Sequence, residues 1–286
     1  MRTGLVLEGG AMRGMYTAGV LDVFMENHIE VEGVIGVSAG AVFGCNYKSG
    51  QIGRTIRYNK KYCKDPRFGN IRSWLKSGDI YEEEFCYREI PGSLDPFDTK
   101  AFQENPVEFY VTCTDVYTGK PVYHRCDIGD ETDVRWMQAS ASMPLVSKVV
   151  SIGDYRLLDG GISDSIPVKW FMEQGFEKNV VILTQPEGYR KEKNKLLPLL
   201  RRMMKKYPAV IESMRIRHEV YNATLDSLPG LEKTGAAYVI RPSRRIKVSK
   251  TENNPDKLQA LYDLGREDAA KQLNAVKDFL ESKHKC

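Results

Sequence analysis

The chain has 286 residues, 42% of them hydrophobic, and a formal net charge of +4. This length admits one large core or two small ones, and so mild a charge gives no reason to expect a nucleic-acid partner. No apolar run approaches the roughly 18 residues that a membrane span requires.

In chain order, Gly4 to Leu7 is a short apolar run stopped by Gly9 and Gly10, and residues 17–25 have helical spacing through Val20, Leu21 and Phe24. The opening MRTGLVLEGG therefore reads as a first strand rather than a signal-peptide core. Val31 to Val37 is a second apolar, β-branched run, and the resulting β-α-β-α rhythm predicts an α/β fold on a mainly parallel sheet. Residues 51–63 suggest a helix. The stretch from there to 103, broken by Pro66, Pro91 and Pro96, assigns no elements.

EFYVTCTDVYTGKPVYH (108–124) alternates aromatic and β-branched residues around a turn at 117–120, and residues 146–158 read as a second hairpin turning at Gly153-Asp154 and ending in Asp159-Gly160-Gly161. A helix over 167–174 and a buried strand over 180–183 follow. Beyond Glu187 charge increases, with helices expected near 192–226 and 256–280 and a short strand at 237–240 between them. Leu258, Leu261, Tyr262, Leu273, Val276 and Phe279 can share one face of the last helix. Residues 1–190 are expected to form the main domain, and 191–286 a helical extension with one strand packed on it. Six scattered cysteines (45, 63, 86, 113, 126 and 286), with no C-x-x-C pair, predict free thiols in a reducing cytoplasm and no metal site.

Three short motifs carry chemistry. Gly36-Val37-Ser38-Ala39-Gly40 follows an apolar strand, the context in which G-x-S-x-G forms a nucleophile elbow: a strained turn lifts the hydroxyl clear, and side chains at Gly36 and Gly40 would collide with neighbouring backbone. The plainer reading is a serine capping the helix that starts at Ala39. Glu8-Gly9-Gly10-Ala11-Met12-Arg13-Gly14 is a Gly-rich strand-to-helix turn whose N–H groups suit a phosphate or an oxyanion. Without G-x-G-x-x-G spacing or a Gly-Lys-Ser/Thr ending, a nucleotide loop fits poorly. An oxyanion hole on a strand beside Ser38 fits better.

Asp159-Gly160-Gly161 is either an ordinary turn or the source of a base for the serine. Of the four histidines, His28 and His124 do not follow the order Ser, acid, His, whereas His218 and His284 do but lie on no loop after a strand. A carboxylate with a raised pKa can serve instead, which favours a Ser38–Asp159 dyad.

LVLEGGAMRG, GVSAG and DGG, in this order, resemble the patatin-like phospholipases, in particular their bacterial members. Ala139-Ser140-Ala141-Ser142-Met143-Pro144 and Asp164-Ser165-Ile166-Pro167-Val168 extend the likeness, which covers residues 4–185. It implies a three-layer α/β/α sandwich with a mainly parallel central sheet, Ser38 as nucleophile, Asp159 as base, and Gly9 to Gly14 as the oxyanion loop, with no catalytic histidine, metal or organic cofactor. The departure from the family's triple glycine is Ala11. Its N–H is kept, and a negative φ would preserve the hole, whereas a left-handed conformation would cost about 1 kcal/mol or more. Arg13 is then available to brace the loop through a carboxylate or to meet a lipid phosphate.

The activity so implied is hydrolysis of lipid carboxylic esters through an acyl-enzyme, in a cytoplasmic protein, peripheral at most to the inner face of the membrane. Alternatives are a carboxylesterase or thioesterase for short soluble substrates, a weakened lipid-binding regulator and, more distantly, a nucleotide binder. Residues 196–217 set Leu196, Leu197, Leu199, Leu200, Met203 and Met204 beside Arg201, Arg202, Lys205 and Lys206. Such a segment suits contact with an anionic membrane, or equally an ordinary helix packed on the domain, interrupted by Pro198 and Pro208. Head group, acyl-chain preference and oligomeric state are not legible.

Overall fold

The computed structural model describes residues 1–282; His284 and Cys286 lie outside them. Eight strands form one sheet: β1 (Arg2–Leu7), β2 (Gly33–Val37), β3 (Glu108–Asp115), β4 (Pro121–Cys126), β5 (Val150–Ile152), β6 (Tyr155–Asp159), β7 (Phe176–Ile182) and β8 (Ala237–Ile240). Their order is β5-β6-β3-β2-β1-β7-β8, with β4 paired to β3. The pairs from β3 through β2, β1 and β7 to β8 are parallel, and β4, β5 and β6 add antiparallel pairs at the other end.

Strand alternation splits the core into two layers. Leu5, Leu7, Val34, Val180, Ile182 and Ile240 join one apolar cluster, while Val6, Ile35, Val181 and Val239 join another on the opposite face. Helices cover both faces, completing the expected α/β/α sandwich. The helices are α1 (Met15–Glu26), α2 (Ala39–Lys48), α3 (Arg54–Tyr62), α4 (Ile71–Ser77), α5 (Thr99–Glu104), α6 (Glu131–Ser140), α7 (Val168–Glu173), α8 (Leu197–Met203), α9 (Pro208–Lys233) and α10 (Pro255–Glu281). The first cluster holds residues of α1, α2, α6 and α10; the second holds residues of α7 and α9.

The C-terminal part is built into this body. β8 extends the sheet from β7, and α10 crosses α1 where two glycines let the backbones approach: a Cβ on Gly19 would stand 2.1 Å from the Tyr262 carbonyl oxygen, and one on Gly265 would stand 2.1 Å from that of Tyr16. Polar contacts fix this crossing. The Tyr262 hydroxyl donates to Asp22 at 2.6 Å, and Arg266 makes two bonds to Glu26 at 2.7 and 2.9 Å.

Several elements escape the sequence reading. Helix α6 starts at Asp130, whose side chain accepts from the Asp133 N–H at 2.9 Å; this N-cap, followed by apolar Val134 and Met137, was its available signal. Residues 71–104 contribute α4, α5 and a π-helical segment at Phe85–Leu94 with Pro91 inside. The basic stretch, by contrast, is interrupted at Pro208 as its sequence suggests: the chain leaves α8 at Met204 and restarts α9 at Pro208.

The Gly19 approach gives a test by contrast. Gly19→Ala is expected to lower the urea-unfolding free energy by about 1–3 kcal/mol through overpacking. Gly230→Ala, on α9 with nothing within 4 Å of its Cβ position, is expected to leave it unchanged or raise it by up to about 1 kcal/mol.

Candidate active site

Ser38 joins β2 to α2 with φ +55° and ψ −121°, a strained conformation for a residue with a Cβ. Two glycines make it possible. A Cβ on Gly36 would lie 2.4 Å from the Gly40 carbonyl oxygen, and one on Gly40 would lie 2.4 Å from that of Leu7. The Ser38 side chain makes no cap bond to the helix, so the capping alternative does not describe it.

Sheet register brings Asp159 to this serine. β3 pairs with β4 along Phe109–Thr114, which fills one of its edges. Both β2 and β6 therefore lie on the other edge, end to end: Val37 stands opposite Thr112, and Asp159 opposite Cys113. The sheet register thus sets the Asp159 carboxylate beside the Ser38 hydroxyl. Burial pushes its pKa up, against the pull of the Arg217 charge, the Ser38 hydroxyl and the Gly161 N–H, which donates to Oδ1 at 2.7 Å. A buried carboxylate with a raised proton affinity beside a serine hydroxyl has the properties a general base needs.

The stretch 139–144 braces both residues, a role its sequence did not disclose. Ser140 Oγ accepts from the Ser38 N–H at 2.9 Å and donates to the Thr112 carbonyl at 2.6 Å, while the Ser142 carbonyl accepts from the Asp159 N–H at 2.8 Å.

Because β1 and β2 are parallel neighbours, the Gly9–Gly14 loop lies against the elbow: a Cβ on Gly9 would come within 3.0 Å of Ser38 Cβ. Among the described residues, the N–H groups of Gly10, Ala11 and Ala39 donate to no backbone carbonyl. Glu8 pins the loop, and its role too went unread. Buried at 1% exposure, it accepts from the Thr184 N–H at 2.6 Å, the Thr184 hydroxyl at 3.0 Å and the Tyr221 hydroxyl at 2.7 Å. Gly10 packs on Thr184, and Gly14 on Ala39 and Phe43, leaving no room for a Cβ at either position.

Ala11 has φ +50°. The favourable case of a negative φ does not hold, and the residue that replaces the third glycine carries left-handed strain of about 1–2 kcal/mol. Met12 is buried. Arg13 makes no ion pair among the described residues, and its buried Nε lacks a hydrogen-bond partner.

A cavity of about 110 Å³ opens from Ser38 and Ala11, lined by apolar groups including Val42, Phe43, Phe68, Ile90 and Met137. Its walls come from α2, α3, α6 and the π-helical segment, the part of the chain whose sequence assigned nothing. At its wall Arg54 is held by the Asp95 carbonyl at 2.7 and 3.1 Å and by Asn46 at 3.0 Å.

Neither His124 nor His218 takes part in this arrangement. His124 stacks on Trp136 at 4.0 Å, and His218 lines a cleft with Asp159 without bonding to it. His124, Cys126 and Asp133 present donor atoms within 4.8 Å of one another and are the described residues able to hold a metal. However, one Asp133 oxygen already accepts from the Ile128 and Gly129 N–H groups, and burial pushes the Cys126 thiol well up, so two of the three donors are committed to closing the loop and the core.

A family model described as patatin-like phospholipase matches residues 5–172, more than half of the chain. The chain belongs to the patatin-like phospholipase family. A second model, a domain of unknown function (DUF6363), matches residues 207–281. The uncharacterized protein YjjU of Escherichia coli strain K12 is 32% identical over 193 residues, 65% of this patatin-like chain and 52% of YjjU. Lysophospholipase nte1 of Aspergillus fumigatus is 28% identical over 172 residues, 58% of this chain and 11% of that protein. The crystal structure of VipD from Legionella pneumophila aligns with a TM-score of 0.47 and 13% identity, covering 96% of this chain and 67% of VipD. The chain spans about half the length of YjjU, and less of the other curated relatives it matches.

The strain at Ala11 is measurable. Ala11→Gly is expected to raise the unfolding free energy by about 1 kcal/mol, the left-handed relief exceeding the entropy a glycine adds to the unfolded chain; a destabilised variant would contradict the left-handed assignment.

Proposed function

We propose that this patatin-like protein is a serine acylhydrolase that cleaves carboxylic esters of lipids through Ser38 and Asp159. The observation that carries the reading is a strained serine set by sheet register beside a buried carboxylate at the mouth of an apolar cavity. Asp159 takes the Ser38 proton as Oγ adds to the ester carbonyl, and the oxyanion is met by the N–H groups of Gly10 and Ala11. Collapse expels the alcohol, which receives the proton from Asp159. A water then gives its proton to Asp159 and adds to the acyl-enzyme; the fatty acid departs, and Ser38 Oγ recovers the proton.

An apolar lining favours acyl chains over short polar esters. Interfacial substrate is favoured by α8, where Leu196, Leu199 and Met203 are exposed beside Arg201 and Arg202; peripheral contact with an anionic membrane through 196–217 is part of this proposal. The second reading, a weakened lipid-binding regulator, draws on the left-handed Ala11.

A fluorophosphonate probe is expected to label the native protein and to leave Ser38→Ala unlabelled, with labelling of Asp159→Asn slowed by at least about a hundredfold. Since Asp159 acts as the anion and its pKa is raised, the labelling rate should climb with pH through an apparent pKa above the ordinary carboxylate range. Labelling that persists in Ser38→Ala overturns the mechanism. Turnover of butyryl but not long-chain esters by a labelled protein moves the substrate to short soluble esters, and labelling without any turnover supports the regulator.

A further inference from the structure

Beside the apolar cavity, which Ser38 lines, lies a second cleft of about 210 Å³, which Asp159 shares with Lys191, Arg217, His218 and Lys250; Met143 lines both. Arg13 lines the adjoining cleft with Thr184 and Ser249. Four cations thus gather around one end of the catalytic centre, and among the described residues none of them makes a salt bridge. Arg217 donates Nε to the Gly161 carbonyl, which turns its guanidinium toward Asp159. The Lys191 ammonium lies 4.1 Å over the Tyr221 ring, and Glu192 at the rim faces Lys195 instead.

Asp159 and Glu8 offset their mutual repulsion only in part. Burial, with the charges of Arg217, Arg13 and Lys250 and against that of Glu8, pulls the Lys191 pKa down to about 7. Lys250 is lowered by burial and by Arg217 and Arg13, against Asp159. With Lys191 protonated, the state a bound anion favours, the four cations leave a formal excess of two positive charges over Asp159 and Glu8, and the buried Nε of Arg13 and Nδ1 of His218 have no hydrogen-bond partner among the described residues. A fold that holds unpaired cations together beside a reactive serine is arranged for an anion that arrives with the substrate.

We propose that Arg13, Lys191, Arg217 and Lys250 form a phosphate-binding site that selects acyl esters carrying a phosphomonoester, as in lysophosphatidate, over zwitterionic and neutral ones. The substrate role rests on the hydrolase reading above. In a glycerol phospholipid the phosphate is separated from the ester by only the glycerol carbons. With the acyl chain in the apolar cavity and the carbonyl at Ser38, the head group falls on the Asp159 side, and a dianion matches the excess charge. Three of the four cations lie outside residues 5–172, so the segment beyond the family match supplies the head-group selection.

The test compares kcat/KM of the full chain for oleoyl lysophosphatidate, oleoyl lysophosphatidylcholine and mono-oleoylglycerol, each kept monomeric. Lysophosphatidate is expected to lead by about tenfold or more, since charge-assisted bonds to a phosphate are lost in the others, and the lead should collapse to about unity in Lys191→Met/Lys250→Met. Equal values in the native protein, or a lead unmoved in the double variant, overturn the proposal. Calorimetric titration of Ser38→Ala with glycerol 3-phosphate and with inorganic phosphate separates the two readings. Saturable glycerol 3-phosphate binding that the two Lys→Met changes abolish supports the anion site even if no ester is hydrolysed. Absence of binding by either anion overturns the site even if esters are hydrolysed. Inorganic phosphate that binds as tightly as glycerol 3-phosphate, without competing against lysophosphatidate, overturns the lipid source in favour of free phosphate.

Discussion

The shared edge of β3 is the constraint on which the site depends. Two strands that run in opposite directions end at consecutive positions along it, Val37 at Thr112 and Asp159 at Cys113. Ser38 and Asp159 are therefore neighbours by sheet register rather than by any loop. The junction is crowded enough to dictate composition: a Cβ on Gly160 would stand 2.0 Å from the Thr112 carbonyl oxygen, and the same oxygen takes the Ser140 hydroxyl that also holds the Ser38 N–H. A slip of one residue in β6 would turn Asp159 to the other face. The Thr114 hydroxyl, donating to the Asp159 carbonyl at 2.8 Å, and the Ser142 carbonyl oppose that slip.

Such a centre is costly to hold. Ser38 and Ala11 both sit at positive φ, and Asp159 is an acid whose charged form burial disfavours; each backbone strain is on the order of 1–3 kcal/mol. The surrounding body offsets this with two apolar layers and with a Gly9–Gly14 loop anchored at both ends, by Glu8 on Thr184 and Tyr221 and by Gly14 on α2. Tyr221 belongs to α9, so the C-terminal segment supports the loop as well as extending the sheet. The left-handed Ala11 follows from that anchoring, which fixes the path of the loop whichever residue occupies the position.

The parts of the site legible in the sequence were those governed by local backbone geometry. Gly36 and Gly40 around Ser38, the Gly-rich turn one strand earlier and Gly160-Gly161 after Asp159 each announce a tight turn, and the order of apolar runs placed two of them on adjacent parallel strands. What was not legible is non-local. The pairing of β6 with β3 joins residues far apart in the chain, the φ of Ala11 depends on a carboxylate bound across the sheet, and Ser140 and Ser142 look like filler until their partners are known. The apolar cavity was hidden because its walls include a π-helical segment with Pro91 inside it. The sequence singled out neither Lys191, Arg217 nor Lys250, since only the tertiary fold brings a loop, a helix and a second loop to one cleft.

The site is put to the test by a crystal structure of the full chain after reaction with a long-chain alkylphosphonate. The expected result is phosphorus on Ser38 Oγ, one phosphonyl oxygen about 2.7–3.1 Å from the N–H groups of Gly10 and Ala11, the alkyl chain between α2 and the π-helical segment, and Asp159 within hydrogen-bond reach of Ser38. An adduct on another residue, or a phosphonyl oxygen turned away from Gly10 and Ala11 toward solvent, would contradict it.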